Sequence, residues 1–319
     1  MSVVPGNPVY KVTSLLIKTA ILIFSLWYIF NKLNSEFLKL NFSEAIQGNG
    51  MILLLLTFFL MFINWGLEAA KWRILVSSLE KISLAEALKA VFAGVTVSIF
   101  MPNRVGEFAG RIFFLKHADK VLATLKNFVG SAMQLFMTLF FGILAFACVS
   151  GESRTLFLEV VGSVTTRFVL VLIAIFMAGL FILNRYSSYF SGQVRAWLSA
   201  VFNSRRDEVL AVLLLSFVRY FVFLFQYYFV LTALGVEMDL FICLNLIAVT
   251  FLVTSIIPSF ALTEIATRGA AAVFLFSVYL DDPAPVLAAS VLVWLINLAV
   301  PAVIGSIFIW QLKFFREAE

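Results

Sequence analysis

The sequence predicts an all-α polytopic membrane protein, an inverted repeat with about six full spans and two re-entrant helical hairpins meeting near the midplane. Three observations predict it. The 319 residues are 62% hydrophobic, with a mean hydropathy of +1.04, against the ~45–50% apolar share of soluble domains. Several runs reach the ~20 apolar residues that a spanning helix needs. Two polar islands, 102–111 and 258–268, interrupt long apolar runs, and each goes from a proline through a glutamate to an arginine four residues on. Only 13% of the chain is charged, and ionisable groups at membrane depth are costly and usually functional.

The elements follow in order. Lys11 and Lys18 lead into an apolar run to Phe30 with no small-residue cleavage site, so this reads as a first span and not a signal peptide. Full spans are expected at about 14–31, 51–70, 127–149, 167–183, 209–234 and 286–311. Two segment pairs remain, 84–101 with 106–118 and 240–257 with 264–280, each hinged at its proline. They are either further crossings or re-entrant hairpins.

Charge decides between them. With a cytoplasmic amino terminus, Lys71, Arg73, Lys81 and Lys89 lie inside, and a hairpin returns Lys116, Lys120 and Lys126 to the same side. Arg185, Arg195, Arg205, Arg206 and the tail residues Lys313 and Arg316 then also face inward, as the positive-inside bias asks. A full crossing by 84–101 would turn the arginine-rich loop outward. The halves, roughly 14–149 and 167–311, are then inverted copies within a single integral membrane domain, 1–319. The first hairpin enters from the cytoplasm and the second from outside, and both termini are cytoplasmic. The linker 184–208 places Val194, Trp197, Leu198, Val201 and Phe202 at helical spacing. It is an amphipathic surface helix or a plain connector.

Pro102 and Pro258 should end the incoming arms, with Asn103 or Thr263 as caps of the outgoing ones. Gly106 lets the arms approach closely. Glu107 with Arg111, and Glu264 with Arg268, are four apart and so share a helical face. Arg104 brings the tips to three arginines against two glutamates, a surplus that suits a phosphate monoanion. Cross-pairing of Glu107 with Arg268, and Glu264 with Arg111, would clip the tips together. Asn64, Glu68, Gln134, Arg219, Tyr220, Gln226 and Asn297 lie within spans and are candidate cavity lining or helix–helix hydrogen-bonding residues.

Several functions are excluded. His117 is the only histidine, and Cys148 and Cys243 lie inside apolar runs, so no metal set, cofactor motif or catalytic residue stands out. The net charge of +5 comes from lysines and arginines between spans, not from a nucleic-acid surface.

The motif Pro-Asn-Arg-Val-Gly-Glu-Phe-Ala-Gly-Arg at 102–111, with Pro-Ser-Phe-Ala-Leu-Thr-Glu at 258–264, resembles the lysylphosphatidylglycerol synthase transmembrane-region family, the flippase part of multiple-peptide-resistance-factor-like proteins. The resemblance covers roughly 14–311. The first motif matches a Pro-x-x-x-Gly-Glu-x-x-x-Arg pattern, whereas Ser259-Phe-Ala-Leu262 replaces the family's glycine-rich second tip. The resemblance implies ATP-independent movement of a phospholipid with a phosphate-bearing headgroup across the bacterial cytoplasmic (inner) membrane. Arg104, Glu107, Arg111, Glu264 and Arg268 would then be the substrate-binding residues. Two other functions fit the sequence: a non-transporting partner of a separate lipid synthase or glycosyltransferase, and a membrane-embedded transferase. A homo-oligomer is compatible with the Gly106-x-x-x-Gly110 spacing, which coincides with the hinge.

Overall fold

The computed structural model describes residues 49–99, 101, 106–148, 192, 206–257 and 261–310. The expected spans 14–31 and 167–183, nearly all of the linker 184–208, and Pro102, Asn103, Arg104 and Pro258 lie outside them, as does the side chain of Thr263.

All regular structure among the described residues is helical. In chain order it comprises α1 (Gly50–Val76), α2 (Leu84–Ser98), α3 (Gly106–Ile112), α4 (Lys120–Cys148), α5 (Arg206–Ala233), α6 (Leu240–Ile256), α7 (Ala261–Phe276), α8 (Ala284–Trp294), a π segment (Leu295–Ala299) and α9 (Val300–Trp310). Four rods among these residues are long and apolar enough to cross a bilayer: α1, α4, α5 and the continuous Ala284–Ile309. They coincide with the expected spans 51–70, 127–149, 209–234 and 286–311. The π turn inside the last rod has no counterpart in the sequence reading. Ile52, Leu55 and Phe59 of α1, Phe136 and Phe140 of α4, and Leu210 and Leu214 of α5 stand exposed, an apolar outer surface that suits acyl chains.

Local signals set the helix ends. Ser83 and Glu86 form a capping box at the start of α2, the hydroxyl accepting from the Glu86 amide at 3.2 Å and the carboxylate from the Ser83 amide at 2.8 Å. Asp239 caps α6 by accepting from the amides of Phe241 and Ile242. Gly235, at φ +80°, ends α5 in the left-handed conformation that glycine adopts without strain.

Side-chain contacts fix the directions of the rods. Gln226 donates to the Thr57 carbonyl at 3.0 Å, while Arg219 reaches Asn64 and Glu68, so α1 and α5 run antiparallel. Lys126 pairs with Glu208 at 2.9 Å, which puts the starts of α4 and α5 beside the end of α1. Tyr227 bonds Ser290, and Asn64 links Arg219 to Asn297. The end of α5 therefore meets the start of α8.

Each helix pair, α2–α3 and α6–α7, thus leaves and returns at one end of the bundle, and the two pairs use opposite ends. The feet of the first pair are bonded directly, because the Glu80 carboxylate accepts from the amides of Lys116 (2.8 Å), His117 (2.7 Å) and Ala118 (3.1 Å). The return arm α3 has 7 residues, about 10 Å at 1.5 Å per residue, too short for a hydrocarbon core of about 30 Å.

Glu80 lies outside the spans, and its pKa has a consequence for stability. Partial burial opposes its charge, yet the amides of His117, Lys116 and Ala118 hold the carboxyl below its ordinary 4.5. A depressed carboxylate contributes stability above the ordinary value and loses it as pH falls through the lowered one. The thermal midpoint in detergent should therefore drop over that acid range, and the drop should be smaller in Glu80→Gln. Identical pH profiles would show that the Glu80 clip contributes nothing.

Corresponding arms pack on the last rod of the opposite set. A Cβ on Gly305 of α9 would strike the carbonyl oxygen of Phe92 in α2, and one on Gly142 of α4 would meet Leu252 at 2.6 Å and the Ala248 carbonyl at 3.3 Å in α6. Phe92 and Ala248 are both the ninth residue of their arm. Thr96 also donates to the Ala302 carbonyl at 2.7 Å. Overpacking costs about 1–3 kcal/mol, so Gly305→Ala should lower the thermal midpoint accordingly. Gly66→Ala, whose Cβ meets nothing within 4 Å, should leave it in place. Equal midpoints would place α9 away from α2.

Candidate functional site

The first cluster grows from one face of α1, where Asn64, Glu68 and Lys71 recur at helical spacing. Glu68 is its hub. One carboxylate oxygen takes Arg111 at 2.7 Å, and the other takes Lys71 at 2.7 Å and Arg219 at 3.0 Å. Arg111, carried in by the short helix α3, also reaches Glu107 at 2.9 Å and Asn127 of α4 at 2.8 Å. Its burial is made possible by glycines: a Cβ on Gly106 would meet the Val97 carbonyl at 2.5 Å, and one on Gly110 would strike Gly94. Arg219 donates to Asn64 at 2.8 Å, lies over the Trp65 ring at 5.3 Å, and through Asn64 connects to Asn297 in the π segment.

Glu68, Lys71 and Arg111 are almost fully buried, with side chains 5%, 2% and 2% exposed. Each such charge costs several kcal/mol to desolvate unless paired. That cost explains why three cations converge on one carboxylate.

The second cluster lies across α5. Arg268 pairs with Glu264 at 2.6 Å and sits over Phe223 at 5.9 Å. Both line a cleft of about 250 Å³ among α4, α5, α6 and α7, whose polar wall also includes Gln134, Thr138, Arg219 and Tyr220. Arg219 belongs to both clusters and joins them. The Tyr220 hydroxyl, the Gln134 carbonyl and the Arg268 Nε are buried there without a hydrogen-bond partner. Such unmet capacity calls for an explanation, and an absent polar ligand is one.

The structure sorts the candidates. Glu107, Arg111, Glu68, Arg219, Asn64 and Asn297 come together in the first cluster. Glu264, Arg268, Gln134 and Tyr220 come together in the cleft. Gln226 stands apart as a bond between α1 and α5. The expected cross-pairing is corrected: each motif arginine pairs with the glutamate of its own helix. One turn of helix already brings those partners together, whereas Glu68 supplies the counter-charge that a cross-pair would have given Arg111. Lys71 and Asn127 were missed; each was legible as a polar residue inside or beside an apolar run. Across both clusters Lys71, Arg111, Arg219 and Arg268 face Glu68, Glu107 and Glu264, a surplus of one positive charge.

Fold and site together define a polytopic helical membrane protein with a buried ionic network opening into a polar cleft. A family model described as Lysylphosphatidylglycerol synthase TM region matches residues 15–305, and the chain belongs to that family. Comparison with curated proteins and with solved structures gives no match. Membership relates the chain to the membrane part of lysylphosphatidylglycerol synthesis and flipping.

Proposed function

We propose that the protein is a transporter, not an enzyme, which moves a phosphate-bearing lipid headgroup between leaflets of a bacterial cytoplasmic membrane without ATP. Two inverted halves, 14–149 and 167–311, each contribute one re-entrant hairpin. The cleft carries this reading: Arg219 and Arg268 flank a polar space between the helices. Arginine's planar fork matches a phosphate's oxygens. The headgroup occupies the cleft and draws Arg268 from Glu264, while the acyl chains stay in lipid beside the apolar groove formed by Leu60, Phe217 and Phe221. Loss of the Arg268–Glu264 pair loosens α7, and rocking of the halves then exposes the cleft to the other leaflet.

The test is leaflet exchange of labelled phosphatidylglycerol in liposomes containing only this protein. Exchange above that of protein-free liposomes supports transport. Absence of exchange together with copurification of a lipid synthase or glycosyltransferase would favour a docking subunit instead.

A further inference from the structure

We infer that Lys71 is a proton-binding site coupled to the cleft: it takes up a proton when Arg219 turns from Glu68 to a phosphate in the cleft, and gives it up when Arg219 returns, so that lipid movement depends on protons. This rests on the transport reading and names the ion linked to it. It asks only that the headgroup carry a phosphate.

Lys71 and Arg219 share one oxygen. Glu68 Oε1 serves Arg111 at 2.7 Å, whereas Oε2 faces both Lys71 at 2.7 Å and Arg219 at 3.0 Å and is hydrogen-bonded to neither. Two cations crowded on one buried oxygen repel each other strongly, because the surroundings screen them poorly. Arginine keeps its proton in proteins, while a buried lysine can shed one. Lys71 is therefore the group that relieves the crowding by changing its charge. The charged groups that face it are Glu68 of α1, Arg111 of α3 and Arg219 of α5. Glu107 of α3 is taken by Arg111, and Lys126 of α4 by Glu208 of α5. Helix α4 approaches the lysine stem at Gly130, where a Cβ would lie 3.7 Å from Lys71 Cε. Helix α2 carries Glu86, held in its capping box, and Lys89; the π segment carries no charge.

Arg219 is the member of the cluster that can leave. Its side chain is 17% exposed, against 2% for Lys71 and Arg111, and it lines the cleft. Arg111 is held in addition by Glu107 and Asn127. Once a phosphate draws Arg219 into the cleft, Oε2 is left to Lys71 alone, and the ammonium becomes its favoured partner. The coupling is reciprocal: protonation of Lys71 favours the phosphate-bound state as much as bound phosphate favours protonation.

The experiment titrates phosphatidylglycerol micelles calorimetrically into the full chain in detergent at mildly alkaline pH. Two buffers of different ionisation enthalpy are used, so that the difference in heat counts protons. Wild-type protein should take up a proton with the lipid. Lys71→Met, which is never charged, and Lys71→Arg, which always is, should take up none. In the methionine variant Arg111 and Arg219 still satisfy Glu68, so the fold is kept, and its thermal midpoint verifies this. In liposomes at equal pH on both sides, wild-type exchange of labelled phosphatidylglycerol should slow as pH rises, by up to about tenfold per pH unit. Exchange by either variant should not vary with pH. Proton uptake that is the same in wild type and both variants, zero included, overturns the inference, and exchange in the same liposomes then leaves transport in place. If the lipid does not exchange, transport fails, and the calorimetric comparison alone decides the proton site.

Discussion

Glu68→Gln should destabilise the protein by about 3–5 kcal/mol, the cost of breaking a buried charge network by removing one partner. Glutamine keeps the volume and removes the charge. Lys71 and Arg111, each 2% exposed, and Arg219 then lose the carboxylate they share. Glu107 can still hold Arg111, so the loss falls mainly on Lys71 and Arg219. Adding Lys71→Met to Glu68→Gln should recover part of the stability, because it removes one uncompensated charge from the interior. A double-mutant cycle on unfolding midpoints in detergent reads that coupling. Strict additivity of the two changes would mean that Glu68 does not act as a hub.

Arg268→Ala should behave in the opposite way, leaving the fold nearly intact and removing transport. Arg268 is 11% exposed at the cleft, and among the described residues its ion-pair partner is Glu264 at 2.6 Å. Loss of a charge-assisted contact to a desolvated phosphate costs about 2 kcal/mol or more, which exceeds tenfold in rate. Arg268→Lys keeps the charge without the two-pronged donor, and its exchange rate should fall between those of the wild type and the alanine variant. Arg268→Ala protein that exchanges phosphatidylglycerol at the wild-type rate would reduce the pair to a structural clip.

Much of this was legible in the sequence. Long apolar runs report spans directly, because bilayer thickness fixes their length, and the four described rods fall where those runs lie. Proline placement and charge sidedness in the sequence suggested two hairpins, and the described residues show the arms on either side of each proline as separate helices. The duplicated glutamate–arginine spacing placed each pair on one helical face, and each pair is bonded there, since a separation of four dictates a shared face whatever the tertiary structure. It did not identify the further partners of Arg111. Whether Arg111 meets Glu264 or Glu68 depends on packing between helices, and Gly94, Gly106 and Gly110 set that approach through absent side chains. Glu68 was visible as an oddity within an apolar run. Its role as hub was not, because three of its partners come from α1, α3 and α5. The π turn at Leu295–Ala299 leaves no signature that hydropathy can register.

The transport reading requires that the two helix pairs enter from opposite faces of the membrane, and this can be measured directly. In a Cys148→Ser, Cys243→Ser background, which removes both free thiols among the described residues, single cysteines replace Ser77 and Ser277. Both positions are exposed; Ser77 follows α1 at the foot of the first pair, and Ser277 follows α7 at the foot of the second. A membrane-impermeant maleimide should label the Ser277→Cys protein in intact cells and the Ser77→Cys protein only in inverted vesicles. Labelling of both cysteines from the same side would contradict the opposed hairpins.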